Sequence, residues 1–250
     1  MGTFLIAHLV AICLASLRLG PVLAFAPPFS LVTMPAPARF VIVMGLSAAM
    51  PLSELEQRVL MTRQGMIMGA VHEVVMGLIL ALALQWAFAM IAMASRALDI
   101  QVGFGLASVV DPETKAQMPL IETFFTYAAA AVFFTTTGPR DLFAVLVSSF
   151  DRYPILGPLA PIDPRGLMEF ISVAGLLSVS IVGLAVLVLF LIDLSIAFIS
   201  RTLPQMNVLV LGFQAKSLAA LVLLPMVVGT SGAMIVRLLR LAIDHTLPAH

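Results

Sequence analysis

Apolar residues in this chain gather into long runs instead of alternating with polar ones. The runs fall at about 4–17, 40–51, 64–95, 119–137, 167–200 and 206–235. A membrane-spanning helix needs roughly 20 apolar residues, so the pattern predicts an all-α integral membrane protein with several long, kinked helices. The lengths are uneven. The first two runs are short for a span. The run 167–200, as one helix, would measure about 50 Å against a hydrocarbon thickness of about 30 Å. Either the helices tilt steeply or part of the protein lies outside the lipid.

The longest apolar region is interrupted once, at 201–216. Pro204 has no N–H and disfavours helix at Leu203, so the chain bends there. Gln205 and Asn207 can serve backbone groups freed by the bend. The prediction is a helical hairpin with this stretch, beginning at Arg201, as its tip. Asp193 and Lys216 then lie at the same depth on facing helices. Opposite charges at one depth are the economical arrangement in hydrocarbon, where an unpaired charge costs roughly 2.5–3.5 kcal/mol on insertion scales. Two readings stay open: an Asp193–Lys216 pair, or a snorkelling Lys216 with Asp193 facing a wet cavity. Pro225 predicts a kink in the last run.

Three further stretches stand out. Between the first two runs, Pro21, Pro27, Pro28, Pro35 and Pro37 forbid one continuous helix across 20–39, although the segment is apolar. Irregular backbone at membrane depth survives only against protein or water, so partner chains or an interfacial position must cover it. In the third run, Gly65, Gly69, Glu73 and Gly77 recur every four residues and share one helix face. Small residues there admit a second backbone and mark a subunit-packing stripe. Glu73, an intramembrane carboxylate, is a candidate functional group; the plainer reading is a hydrogen bond to a neighbouring helix. The stretch 101–119 joins apolar Phe104, Val109, Val110 and Met118 to the turn Asp111-Pro112. It is either a surface connector or an apolar plug able to close a pore by dewetting. The loop 138–166 reads as a wet connector around a short apolar helix at 141–150, and the residues from Arg237 onward read as a polar tail.

Composition narrows the function. The chain has 250 residues, 61% hydrophobic and 10% charged, with 13 basic and 13 acidic side chains. Its mean hydropathy is +1.12. A soluble domain carries about 25% charged residues. The absence of net charge argues against a nucleic-acid surface. The single cysteine, Cys13, excludes an internal disulfide and a multi-thiolate metal site. His72-Glu73 opens like a zinc motif, but Met76 stands where the second histidine is needed. No cofactor and no catalytic nucleophile–base arrangement is predicted. The N-terminal run lacks a preceding basic residue and reads as an uncleaved helix despite Ala24-Phe25-Ala26.

Taken together and in order, certain residues resemble the FliR family of flagellar export-gate subunits, which has relatives in injectisome type III secretion. They are Arg18, Pro28, Pro35 and Arg39; Glu73 and Gly77; Gln101 and Gly103; Asp111-Pro112 and Met118-Pro119; Asp193; and Arg201, Pro204, Gln205, Asn207, Gly212, Phe213 and Lys216. The chain departs from the family pattern at Ala94-Ser95-Arg96 and at Gly138-Pro139. The resemblance implies a FliP-like part at 1–166, with a plug loop near 101–119, followed by a FliQ-like hairpin and tail at 167–250. It implies FliP-type, FliQ-type and FlhB-type partners, contact with unfolded export substrates and with lipid, and a place in the flagellar basal body at the bacterial inner membrane. Gly212-Phe213 before Lys216 favours the flagellar branch over the injectisome. A secondary transporter is the rival reading, but the paired inverted repeats it requires are not visible.

Overall fold

The first helix is longer than its apolar run. The computed structural model describes residues 2–50, 66–104, 119–154, 164–202 and 207–245. Helix α1 covers Gly2–Phe25 and continues through both Arg18 and Pro21. Its buried positions Ala7, Ala11, Leu14, Ala15, Arg18, Leu19 and Val22 follow three- and four-residue steps along one face. Arg18 looked like the end of the run because a charge is costly in an apolar helix. It is instead fully buried and paired, so the helix can carry it inward.

The proline-rich stretch then breaks the helix. A single 3-10 turn forms at Phe29–Leu31, and Pro35 is extended with φ −62° and ψ 142°. Helix α2, Ala36–Ala48, starts directly after it with a proline in its first turn, where the missing N–H costs nothing. Arg39 reaches back to the Ala24 carbonyl at 3.4 Å.

Helix α3 runs Met66–Val102, α4 Leu120–Thr135, α5 Gly138–Arg152, α6 Pro164–Thr202 and α7 Val208–His245. The short helix expected at 141–150 is α5, Gly138–Arg152, and it is amphipathic rather than apolar. Gly138, Leu142, Leu146 and Ser149 form its buried face, and Asp141 and Arg152 match its dipole at either end. Helix α7 stays helical through Pro225 and through residues 237–245, where Leu238, Leu239 and Ala242 are buried.

Among the described residues, four helices are long and apolar enough to cross a membrane: Leu5–Phe25, Ile67–Val102, Pro164–Thr202 and Val210–Thr230. A fifth span arises if α4 and α5 count as one. The protein is an all-α, multi-pass integral membrane protein. Only 28% of the apolar window of α6 and 11% of that of α7 are buried by the chain itself, against 44% for α3. Leu176, Val179, Leu187, Phe190 and Phe198 on α6 are exposed, as suits lipid or another protein rather than water.

The helices assemble into two compact units. One comprises residues 1–86, 136–170 and 239–250, with Leu19, Val22, Leu80, Leu84, Leu142 and Leu146 in its core. The other comprises 87–135 and 171–238, with Ile91, Leu98, Phe125, Phe133, Leu189 and Ile235 in its core.

Candidate functional site: two buried charge centres

The first centre lies in the unit built on α1. Glu73 projects from the face of α3 that also carries Gly69 and Gly77, and all three are buried. Gly65 of the same stripe lies outside the described residues. At Gly77 the approaching backbone is the chain's own α1. A Cβ there would fall on the Arg18 carbonyl oxygen and within 2.9 Å of its carbon. Glycine is thus what allows α1 and α3 to come close enough for their charges to meet.

Arg18 uses almost its whole guanidinium. Nε donates to Glu73 Oε2 at 2.6 Å and Nη2 to Glu73 Oε1 at 3.0 Å, a two-pronged pairing. Nη1 donates to Ser149 Oγ at 3.0 Å, and Nη2 also donates to the Tyr153 carbonyl at 2.8 Å. The Phe150 ring sits 4.0 Å from the guanidinium carbon. His72 Nδ1 lies 3.1 Å from Glu73 Oε1. Arg18 and Glu73 are both 0% exposed. One ion pair therefore ties α1, α3 and the C-terminal end of α5 together, and its charges cancel inside the apolar core. Among the described residues no three or more His, Cys, Asp or Glu side chains converge as a metal site.

The second centre lies in the other unit. Lys216 Nζ is 2.5 Å from Asp193 Oδ1, and Gly212 lies against Ile196. Both contacts are symmetric about the stretch between Thr202 and Asn207, so α6 and α7 form an antiparallel hairpin. Pro204 and Gln205 themselves lie outside the described residues. Arg201 and Asn207 flank the turn and are exposed. Asn207 Oδ1 accepts from the Val210 N–H at 3.4 Å, at the start of α7.

Lys216 has a second partner. It donates to the Gln101 carbonyl at 3.0 Å, in the last turn of α3, and the Gln101 side chain donates to the Val186 carbonyl at 3.2 Å. Gly103 follows with φ +98°, a left-handed conformation suited to glycine after a helix end. Phe104 then packs edge-on against Phe213, ring centres 6.3 Å apart. Asp99 accepts from the Ile121 N–H at 3.0 Å and the Glu122 N–H at 2.9 Å, capping α4 from another helix. Val109, Val110, Asp111, Pro112 and Met118 of the expected plug lie outside the described residues.

Sequence reasoning singled out Glu73, Asp193 and Lys216. It missed the partnership of Arg18 with Glu73, the cap supplied by Asp99 and the bond to Gln101. The Arg18 signal was available: a lone arginine in an apolar run requires a buried acid.

Comparison with known proteins gives this geometry a context. The model of the family described as bacterial export proteins, family 1, matches residues 9–242. The flagellar biosynthetic protein FliR of Escherichia coli (strain K12) is 27% identical over 147 residues, covering 58% of this chain and 56% of that protein. FliR of Bacillus subtilis (strain 168) is 30% identical over 164 residues, 62% of this chain and 61% of that protein. The matched region thus spans less than two thirds of either flagellar relative. The surface presentation of antigens protein SpaR of Salmonella typhimurium is 28% identical over 224 residues, 88% of this chain and 84% of that protein. With the family model spanning nearly its whole length, from the third turn of α1 to the last turn of α7, this chain belongs to bacterial export proteins, family 1.

Proposed function

We propose that this chain is a subunit of the flagellar type III protein export gate. In this reading it joins FliP-type and FliQ-type subunits, and an FlhB-type subunit, in the bacterial inner membrane. Together they form the channel through which unfolded flagellar proteins cross. The observation that carries the reading is the family match over residues 9–242, combined with similarity to relatives named flagellar biosynthetic proteins. The physical form of the chain supports it. Helices α6 and α7 leave most of their apolar windows uncovered by the chain itself, which suits a subunit completed by neighbours. In the same reading, residues 1–166 act as a FliP-like part, 167–250 as a FliQ-like hairpin, and the loop containing Phe104, Val109, Val110, Asp111, Pro112 and Met118 as the pore plug.

An injectisome export-gate subunit is the second reading, favoured by the longer alignment with SpaR. Deleting the gene in its own host separates the two. Loss of motility and of flagellin export, restored by a plasmid copy, is the expected result. Intact motility with lost secretion of injectisome substrates would transfer the assignment. Purification from the same host should bring down two small, multi-copy membrane proteins, and deleting part of 106–117 should make membranes holding the complex leaky to ions. A chain that isolates alone would overturn the gate reading.

A further inference from the structure

The two helix ends on either side of residues 105–118 are each terminated by a charge from elsewhere, and the signs match the helix dipoles. The last carbonyls of a helix have no partner within it, and in a membrane no water replaces one cheaply. At the end of α3, the Gly103 N–H bonds to the Asp99 and Ile100 carbonyls, both at 3.2 Å. The Gln101 carbonyl receives the Lys216 ammonium instead. A cation at a helix C-terminus also complements its partial negative charge. The Lys216 side chain is 18% exposed and its ammonium is held on the other side by Asp193, so it is aimed rather than free to roam. At the start of α4, the Asp99 carboxylate accepts two backbone N–H groups, as an anion at a helix N-terminus should. The Phe104–Phe213 contact and the Gln101–Val186 bond join the same turn of α3 to the hairpin.

We propose that Lys216 is a positioning residue for the C-terminal turn of α3. It binds Gln101, with Phe104 seated on Phe213 beside it, and so fixes where and in which direction the chain leaves the helical framework. Asp99 fixes the point of return. The hairpin is thereby linked to the root of the stretch that precedes α4, through one ammonium shared between a carboxylate and a helix carbonyl. The inference rests on the export-gate reading only for what that stretch does, since the geometry of Lys216 stands without it.

The test is hydrogen exchange by mass spectrometry on the purified membrane complex in nanodiscs, comparing wild type, Lys216→Met and Lys216→Arg. Lys216→Met should speed exchange of the Val102–Phe104 amides by about tenfold or more, the scale of losing one hydrogen bond to a charged group. Amides around Arg18 should be unchanged, and Lys216→Arg should stay close to wild type. Unchanged exchange at 102–104, or a uniform rise along the chain, would overturn the proposal. Should Lys216→Met fail to assemble, Asp193→Asn, at a half-exposed position, removes the carboxylate that aims the ammonium at Gln101; it should accelerate the same amides, and no change would be equally fatal. Ion leakage measured on the same samples separates the two layers of argument. Faster exchange with leakage supports both, whereas faster exchange in a tight membrane supports the positioning role and counts against the plug.

Discussion

Replacing Glu73 by Leu strands a guanidinium that has no access to solvent. Arg18 keeps the Ser149 hydroxyl at 3.0 Å, the Tyr153 carbonyl at 2.8 Å and the Phe150 ring at 4.0 Å, but loses both bonds to its counter-ion. Breaking a buried pair by removing one partner costs about 3–5 kcal/mol, and the surviving neutral acceptors place Glu73→Leu near the lower end. A loss of about 3 kcal/mol lowers the folded-to-unfolded ratio by roughly a hundredfold or more. Arg18→Met should cost at least as much, because the stranded carboxylate keeps His72 at 3.1 Å and loses both charged N–H bonds from the guanidinium fork. The double variant, Arg18→Met with Glu73→Leu, removes both charges together. Replacing a buried pair by apolar residues is often neutral or favourable. What remains is the Tyr153 carbonyl without its arginine donor, about 1–3 kcal/mol. The double variant should therefore be more stable than either single one. Reversible unfolding in mixed micelles, run on all four proteins, measures the coupling directly. Additive losses in the double variant, or a single-variant loss below about 1 kcal/mol, would refute the view that the two charges act as one neutral unit.

Two other substitutions test separate contacts. Gly77→Ala should destabilise by about 1–3 kcal/mol in the same assay, because the new Cβ meets the Arg18 backbone and not a movable side-chain end. The roughly 1 kcal/mol gain in helix propensity from alanine is too small to offset this, so a net stabilisation would show that α1 yields easily. Asp99→Ala should cost about 1–2 kcal/mol and speed exchange of the Ile121 and Glu122 amides, with Asp99→Asn intermediate; wild-type exchange there would make the cap idle.

Much of the architecture was legible because it follows from local rules. Apolar runs located the long helices, the prolines from Pro27 to Pro35 located the break before α2, and equal spacing about the bend expected in the polar interruption at 201–216 placed Asp193 opposite Lys216. The misjudged parts depend on distant neighbours. The apolar run stops before Arg18, yet the helix continues, because a neutralising partner 55 residues away in sequence meets the charge. The caps of α3 and α4 come from Lys216 and Asp99, neither of them adjacent to the helix end it serves, so no capping pattern announces them. Likewise Gly77 reads as one small residue in a stripe; only the packed backbone identifies which helix it admits.

Because Asp99 grips the first turn of α4 while α3 ends just beyond it at Val102, the two ends of the intervening stretch are brought together by the scaffold itself. Closure entropy for a flexible stretch grows only with the logarithm of its length, about 0.6 kcal/mol per doubling. Lengthening the connection between Val102 and Leu120 should accordingly cost the helical framework little in folding stability, which is a separate matter from what an insertion would do to the proposed plug.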